Sequence, residues 1–192
     1  MIAIIKYNAG NIQSVQNALK SLGFESVITD DKDTILAADK VIFPGVGEAS
    51  TAMKYLLERQ LDKVITGLTQ PFLGICLGQQ LMCKSSEEGN TQCLGIFDTA
   101  VKQFPPKDKV PHIGWNNFTS VKSPLFDQIN SNDDVYYVHS YYAEVCNETI
   151  AICDYILPFS AGLQKDNFYA TQFHPEKSAG IGRQILKNFL NL

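Results

Sequence analysis

The run Leu73-Gly-Ile-Cys-Leu-Gly-Gln-Gln80 contains a cysteine in a setting that favours nucleophilic chemistry. Glycines two residues on either side of Cys76 allow a strand and a helix to approach closely at a sharp turn, with the thiol at its apex. The sulfur would then lie at the N-terminus of the helix, where the helix dipole favours the thiolate. The backbone N–H of Leu77 would point at a developing oxyanion. The alternative is that Cys76 is a buried core cysteine at an ordinary turn.

A base and an orienting group for this cysteine are available near the end of the chain. His174 closes the run Thr171-Gln-Phe-His, and Pro175 fixes the turn that follows it. Glu176, two residues on, could reach back to the imidazole nitrogen that does not face the sulfur. A cysteine that attacks an amide needs such a pair. A lone His-Pro-Glu is more often structural, but together with the glycine-flanked cysteine it predicts the catalytic triad Cys76, His174 and Glu176.

The segment Pro44-Gly-Val-Gly47 closes a predicted strand with two glycines. A turn of this kind can present backbone N–H groups to an anion, so it could supply a second oxyanion donor. Taken alone, such a segment is more often only a turn. It is not a phosphate-binding loop, because the GK[ST] ending is absent.

The elements that must position these residues alternate between strands and helices in the first half of the chain. This alternation predicts βαβ units, and hence a mostly parallel sheet that is covered on both faces. We expect strands at Ile2–Lys6, Glu25–Ile28, Lys40–Phe43 and Pro71–Ile75, and helices at Ile12–Leu22, Glu48–Gln60 and Leu61–Leu68.

The second half has a different pattern, with short runs rich in Tyr, Val, Phe and Thr between turn signals. We expect strands at Asn117–Val121, Val135–Val138, Tyr141–Cys146, Thr149–Tyr155 and Phe168–Gln172, and a final helix at Ser178–Leu192. The sequence therefore predicts one α/β domain over residues 1–192. Its fold would be a three-layer sandwich with a mostly parallel central sheet flanked by helices, and with antiparallel edge strands in the second half.

Composition excludes several function classes for this chain of 192 residues. Its 20 acidic and 16 basic residues give a net charge of −4, which argues against a nucleic-acid partner. No stretch is apolar enough to span a bilayer, and the N-terminal run lacks the basic region of a signal peptide. We therefore expect a cytoplasmic protein. The five cysteines form no CxxC pair, so we expect free thiols and no metal site.

The cysteine motif Gly74-Ile-Cys76-Leu-Gly-Gln-Gln80 followed by His174-Pro-Glu176 resembles the signature of the class-I (triad) glutamine amidotransferase family. The resemblance covers essentially the whole chain. Further matching segments are Tyr7-Asn-Ala-Gly-Asn11, Phe43-Pro-Gly-Val-Gly47, Pro111-His-Ile-Gly-Trp-Asn116, Val138-His-Ser-Tyr141 and His174-Pro-Glu-Lys-Ser178. The family's first loop usually reads Asp-Tyr-Gly-x-Gly-Asn, and the departure at Lys6-Tyr7-Asn8 bears on partner contact through this loop.

The resemblance implies hydrolysis of L-glutamine to glutamate and ammonia without a cofactor. Cys76 would form a γ-glutamyl thioester, His174 would move the protons, and Glu176 would hold the imidazole. The oxyanion N–H groups would come from the turn at Val46 and from Leu77. The substrate would be contacted by Gly45, Gly47, Gln80, Glu88, Ser140 and Tyr141. Without the family match, Gln80 is better explained as a helix-surface residue, Glu88 as part of a solvated charge run and Tyr141 as strand packing.

The resemblance also implies a partner, a cyclase subunit of (β/α)8-barrel fold in a heterodimer. Ammonia released into water is protonated and loses its nucleophilicity, so a sealed passage into the partner would preserve it. The cyclase would form imidazole glycerol phosphate and aminoimidazole carboxamide ribotide in histidine biosynthesis. The residues expected near the interface are Asn11, Trp115, Tyr136 and Lys177. Alternatively, Trp115, in a predicted loop, packs in the core, and His112 satisfies a backbone group.

Three other functions remain open at this point. The chain could be the amidotransferase subunit for another ammonia acceptor, as in the synthases of anthranilate, aminodeoxychorismate or GMP, or in an enzyme that aminates a sugar. The Trp115 segment and Val138-His-Ser-Tyr141 argue against the three synthases. A non-catalytic binding protein with this fold would be expected to lack a member of the triad. A papain-like or γ-glutamyl peptidase would also use Cys and His, but the short chain and the lack of a secretory signal argue against it.

Overall fold

A computed structural model describes residues 1–7 and 10–192 of the chain. Asn8, where the first loop departs from the family pattern, lies outside the described residues. The strands are β1 (Ile2–Ile5), β2 (Ser26–Thr29), β3 (Lys40–Gly45), β4 (Phe72–Cys76), β5 (Ser85–Ser86), β6 (Thr91–Gln92), β7 (Ala100–Gln103), β8 (His112–Asn116), β9 (Ser120–Val121), β10 (Val135–His139), β11 (Tyr141–Ala143), β12 (Thr149–Tyr155), β13 (Leu157–Lys165) and β14 (Phe168–Thr171).

The helices are α1 (Ile12–Ser21), α2 (Lys32–Leu36), α3 (Ala49–Glu58), α4 (Leu61–Thr66), α5 (Leu77–Met82) and α6 (Ala179–Leu190). Side-chain caps fix where α2 and α3 begin, because the first N–H groups of a helix have no partner within it. Asp31 Oδ2 accepts the N–H of Thr34 at 2.9 Å, and Glu48 Oε2 accepts the N–H of Thr51 at 2.9 Å. Both caps hold the helices that follow β2 and β3.

The main sheet has the strand order β2-β1-β3-β4-β14-β13-β12-β9 in the part of the chain that the structure describes. The first five strands in this order are parallel, and β13, β12 and β9 continue the sheet with antiparallel pairing. The predicted fold class is therefore confirmed, including the antiparallel strands at one edge. Strand β4 lies in the parallel region between β3 and β14, so its carboxyl end meets the ends of both neighbours.

Two hydrophobic cores lie on opposite faces of this sheet, which makes three layers. Strand β1 illustrates the period of two that a sheet imposes on its side chains. Ile2 and Ile4 belong to the core under α1 and α6, whereas Ala3 and Ile5 belong to the core under α2 to α5. All four residues are buried, as a parallel strand covered on both faces requires.

Several segments differ from the sequence-based predictions. Helix α2 and strands β5, β6 and β7 were not expected, and the strand predicted at Asn117–Val121 is only the short β9. Strand β13 was not expected, because Pro158 and Gly162 interrupt its pattern, yet it pairs with both β12 and β14. The prediction of a loop around Trp115 is also wrong. Residues 112–116 form β8, which pairs with β10 in a small sheet of its own. Burial alternates along β8, but Gly114 has no apolar side chain to place on the less exposed face, which weakens the pattern in the sequence.

Within residues 1–7 and 10–192, no helix is long and apolar enough to cross a membrane.

Candidate active site

Cys76 occupies the sharp turn between β4 and α5 that the sequence predicts. Its backbone has φ 54° and ψ −108°, a conformation that residues other than glycine rarely adopt. The flanking glycines are required by close contact. A Cβ on Gly78 would lie 1.9 Å from the carbonyl oxygen of Phe43, and one on Gly74 would lie 2.4 Å from Met82 Sδ. The expected reason for both glycines is confirmed.

Two polar groups approach the sulfur of Cys76, whose residue is only 6% exposed. The side-chain N–H of Gln172 donates to Sγ at 3.7 Å, and the carbonyl oxygen of Val138 lies 4.0 Å from it. The sulfur therefore has a donor on one side and an acceptor on another. It can be held both as a thiolate and as a thiol.

His174 and Glu176 form a buried pair on the loop that follows β14. His174 Nδ1 lies 2.7 Å from Glu176 Oε1, and the two side chains are 1% and 0% exposed. Because Glu176 engages Nδ1, the atom left for Cys76 is Nε2, which is buried and has no hydrogen-bond partner among the described residues. Burial lowers the pKa of His174, but the charges and hydrogen bonding of Cys76 and Glu176 outweigh it and raise the pKa to about 10.

Asn11, which directly precedes α1, contacts this pair with its side chain. Its side-chain N–H donates to Glu176 Oε1 and lies 3.4 Å from His174 Nδ1. Asn11 also caps the start of α1, with φ 72°. Its expected place at a partner interface stays a prediction, but its side chain is engaged by the His174–Glu176 pair.

A cavity of about 290 Å³ opens beside the sulfur. This is near the lower end of the range for small-molecule sites. The sequence-predicted residues that line it are Val46, Gly47, Cys76, Leu77, Gln80, Glu88, Ser140 and Tyr141, and the others are Pro111, Val138 and His139. The described residues thus bring nearly all of the expected substrate and oxyanion residues to one cavity.

Gly45 differs from the other predicted substrate residues, since it does not line the cavity. It lies beside Cys76 in the sheet, and a Cβ there would lie 1.7 Å from the hydroxyl oxygen of Tyr7. Gly45 is therefore required by the close packing of Tyr7 behind the turn. Burial, followed by the charge of Cys76, raises the pKa of this phenol well above its usual value.

The two expected oxyanion donors, Val46 and Leu77, both line the cavity. Leu77 is the first residue of α5, so its N–H has no acceptor within the helix. On the turn after β3, the carbonyl oxygen of Val46 accepts the N–H of Gly10 at 3.3 Å. That bond fixes the peptide between Val46 and Gly47, and it ties this turn to the segment before α1.

Gln80 and Glu88 present acceptors to the cavity. Gln80 Nε2 donates to the carbonyl of Tyr141 at 2.9 Å and to Gln172 Oε1 at 3.0 Å, which leaves only its oxygen for a ligand. Glu88 Oε2 accepts the N–H of Ala49 at 2.8 Å. Burial raises the pKa of Glu88, and the charge of Glu48 adds to this, against a lowering by the Ala49 N–H. Gln80 and Glu88 together could bind a cationic group such as an α-ammonium.

The remaining residues expected at the interface lie close to the triad loop. Trp115 is 55% exposed, so the alternative that it packs in the core is wrong. Its ring stands edge-on to that of Tyr136, with 5.9 Å between centroids. The carbonyl of Tyr136 accepts the N–H of His174 at 3.0 Å, and Lys177, on the same loop, is exposed. The N–H of Tyr136 also donates to Ser178 Oγ at 2.9 Å, so this surface is bonded directly to the loop that carries His174 and Glu176.

Sequence reasoning missed Gln172, His112 and His139 as members of the site. Gln172 lies two residues before His174, at the end of a strand whose other residues are buried. A glutamine between an apolar strand and Phe173, two residues before the histidine, is the sequence signal that could have identified it. Among residues 1–7 and 10–192, no cluster of three or more His, Cys, Asp or Glu side chains could hold a metal ion.

Comparisons with known proteins agree with this geometry. The family model for glutamine amidotransferase class-I matches residues 3–192. The chain is 62% identical to the imidazole glycerol phosphate synthase subunit HisH of Bacteroides fragilis, over 100% of this chain and 99% of that protein. It is 46% identical to the HisH subunit of Haemophilus influenzae, over 98% of this chain and 96% of that protein.

Solved structures share the fold at lower identity. A Thermoplasma acidophilum protein assigned to GMP synthase has a TM-score of 0.76 and 22% identity, over 100% of this chain and 92% of that one. A structure described as glutamine amidotransferase has a TM-score of 0.72 and 18% identity, over 100% and 98% of the two chains. At these identities the likeness supports the fold alone.

Proposed function

Since the chain belongs to the class-I glutamine amidotransferase family, in the group of imidazole glycerol phosphate synthase subunits of histidine biosynthesis, we propose that it hydrolyses L-glutamine at Cys76. The observation that carries this proposal is the position of Cys76 at a strained turn beside a cavity, next to the buried His174–Glu176 pair. Sulfur attack on the amide carbon gives a γ-glutamyl thioester and releases ammonia.

Proton transfer falls to His174. Glu176 accepts the Nδ1 proton, so Nε2 is the nitrogen that takes the thiol proton and returns it to the leaving amine. The same atom then activates the water that hydrolyses the thioester. The carboxylate of Glu176 stabilises the imidazolium formed at each transfer.

Hydrogen-bond acceptors that line the cavity would bind the amino-acid end of glutamine. The free oxygen of Gln80 and the carboxylate of Glu88 suit the α-ammonium group. Ser140 and Tyr141 line the same cavity. The N–H of Leu77, with an N–H from the turn at Val46 and Gly47, would stabilise the oxyanion.

The relatives named above are subunits of a synthase, which implies a partner subunit. We propose that this partner is a cyclase of (β/α)8-barrel fold in a heterodimer, and that it docks over Trp115, Tyr136 and Lys177. An exposed tryptophan edge-on to a tyrosine, with a lysine nearby, is the kind of anchor that protein interfaces favour. Ammonia would pass directly to the cyclase and escape protonation.

We place the reaction in the cytoplasm. All five cysteines carry free thiols, which suits a reducing compartment.

The experiment is to measure glutamate release from L-glutamine by the purified chain, alone and with the cyclase and its nucleotide ligand. Cys76→Ala is the blank, and Cys146→Ala, at a half-buried thiol that does not line the cavity, is the matched control. We expect activity that the partner stimulates strongly, that Cys76→Ala abolishes and that Cys146→Ala retains. High activity without stimulation contradicts the coupling to the partner, and retained activity in Cys76→Ala contradicts the nucleophile.

A further inference from the structure

A buried chain of polar groups runs from the nucleophile to strand β8. It starts at Cys76 Sγ, which accepts the side-chain N–H of Gln172 at 3.7 Å. It continues through Gln80 to the carbonyl of Tyr141, with bonds of 3.0 Å and 2.9 Å. Gln172 is fully buried and Gln80 is 5% exposed, so water cannot replace either amide.

The direction of every bond in this chain follows from the carbonyl of Tyr141. A carbonyl oxygen only accepts, so the Gln80 atom beside it must be the amide nitrogen. The Gln172 atom that meets the same nitrogen must then be the oxygen. The nitrogen of Gln172 is thereby turned toward Cys76, and the sulfur faces an N–H donor rather than an acceptor.

Two buried histidines fix the same carbonyl from the other side. His139 Nδ1 donates to the oxygen of Tyr141 at 2.7 Å, so His139 Nε2 is the acceptor for His112 Nδ1 at 3.0 Å. His112 Nε2 can then accept from Asn116 at 3.4 Å. Burial lowers the pKa of His112 to about 4 and that of His139 to about 3, which keeps both neutral as this arrangement requires.

We propose that Gln172 is a positioning residue for the nucleophile, whose side-chain N–H orients the Cys76 sulfur and stabilises the negative charge that develops on it. A donor at this distance stabilises negative charge on sulfur more strongly than it stabilises a neutral thiol, whose sulfur is only a weak acceptor. The carbonyl of Val138, at 4.0 Å, is an acceptor for the thiol proton besides His174. His174 and Gln172 thus serve the sulfur differently: the imidazole exchanges its proton, and the amide stabilises the charge left behind.

This inference rests on the proposed function, but its test needs neither glutamine nor the partner. The wild-type chain and the variants Gln172→Glu and Gln172→Met are each alkylated with iodoacetamide across a pH series. Mass spectrometry measures how much of the peptide that contains Cys76 is alkylated. Glutamate keeps the size and the acceptor for Gln80 but places a carboxylate against the sulfur. Methionine removes the donor without adding charge. The titratable groups coupled to the sulfur, His174 and Tyr7, are left in place.

The matched control is Gln79→Met. Gln79 is also a fully buried glutamine, on α5, but its amide donates to the carbonyl of Ser160 at 2.9 Å and not to the sulfur. Loss of a buried amide as such is therefore common to Gln79→Met and Gln172→Met. Gln172→Met also removes the acceptor for Gln80, which Gln172→Glu keeps, so the loss of the donor to Cys76 is what the two Gln172 variants share and Gln79→Met lacks. Thermal unfolding of each variant reports whether it folds.

We expect the pH at which alkylation of Cys76 is half-maximal to rise by about one unit in Gln172→Met, and further in Gln172→Glu, with no change in Gln79→Met. In the glutaminase assay kcat falls by about 10- to 100-fold in Gln172→Met. Unchanged alkylation in both Gln172 variants overturns the inference even if the wild-type chain hydrolyses glutamine. A shifted profile in a chain that does not hydrolyse glutamine upholds it and contradicts the proposed function instead. Should Gln172→Met fail to fold, Gln172→Glu alone decides between these outcomes.

Discussion

The Nδ1 atom of His174 lies 2.7 Å from Oε1 of Glu176, and both side chains are shielded from solvent. This contact assigns the two imidazole nitrogens. Nδ1 carries the proton that the carboxylate accepts, and Nε2 is left without a partner among the described residues, beside Cys76. The pair is held from a third side by Asn11, which donates to the same carboxylate oxygen.

Replacing Glu176 by glutamine should nearly abolish turnover. The amide would offer an N–H to Nδ1, which drives the proton to Nε2 and removes the base. We expect kcat to fall by about 10²- to 10⁴-fold, while the fold is retained. Steady-state glutaminase kinetics measure the effect. Glu58→Gln, in an exposed ion pair with Lys54, is the control and should match the wild-type chain; an active Glu176→Gln would rule out this role for the carboxylate.

The substitution Glu88→Gln should weaken substrate binding more than chemistry. It removes the negative charge that faces the α-ammonium but keeps an acceptor for the N–H of Ala49. We expect KM for glutamine to rise by about 10-fold or more, with a smaller change in kcat. Glu87→Gln is the neighbouring control, because Glu87 pairs with Lys102 and does not line the cavity. Equal effects of the two substitutions would contradict a specific contact.

Gly78→Ala should destabilise the fold through a backbone clash. The new methyl group would lie 1.9 Å from the carbonyl oxygen of Phe43, so β3 and α5 must separate. We expect a loss of about 1–3 kcal/mol in the free energy of unfolding, measured by urea denaturation. Gly180→Ala, on α6 with nothing near the added Cβ, should be neutral or stabilising. A Gly78→Ala variant as stable as the wild type would refute the close approach.

The burial of His112 and His139 predicts that the protein loses stability at acidic pH. Burial holds the pKa of His112 at about 4 and that of His139 at about 3, below the unfolded value of about 6.5. Because the unfolded chain then binds more protons, the stability they contribute is fully present above pH ~6.5 and is lost as the pH falls toward 4. We expect each histidine to lower the unfolding free energy by about 2–3 kcal/mol over this window.

Urea denaturation at a series of pH values measures this loss. In the His112→Gln variant one of the two proton-binding groups is gone, so the slope of stability against pH should be smaller. An unchanged slope would show that the acid sensitivity has another source.

The sequence was sufficient to predict the parallel strands of the sheet, the sharp turn at Cys76 and the contact between His174 and Glu176, because local patterns encode them. The strands up to β4, the glycines around Cys76, and the short spacing from His174 to Glu176 are all readable within a few residues, whereas the short helix α2 was missed. Strand β13 was missed because Pro158 and Gly162 break the period-two pattern, while pairing with β12 and β14 overrides that local signal.

The polar chain behind the nucleophile could not be predicted in this way. Gln80 and the carbonyl of Tyr141 are 61 residues apart, and Gln172 is 96 residues from Cys76. The direction in which the Gln172 amide points depends on these distant contacts. Nothing near Gln172 in the sequence indicates whether it offers the sulfur a donor or an acceptor.

The most direct test of the account is to trap the thioester. The chain, with its partner bound, is mixed with L-glutamine, quenched in acid and examined by mass spectrometry of the peptide that contains Cys76. We expect a γ-glutamyl adduct on Cys76 that is absent in Cys76→Ala and strongly reduced in His174→Ala, because His174 moves both the thiol proton and the proton of the leaving amine during acylation. An adduct on a residue other than Cys76 during glutamine turnover would contradict Cys76 as the nucleophile. Turnover retained in Cys76→Ala would contradict it as well.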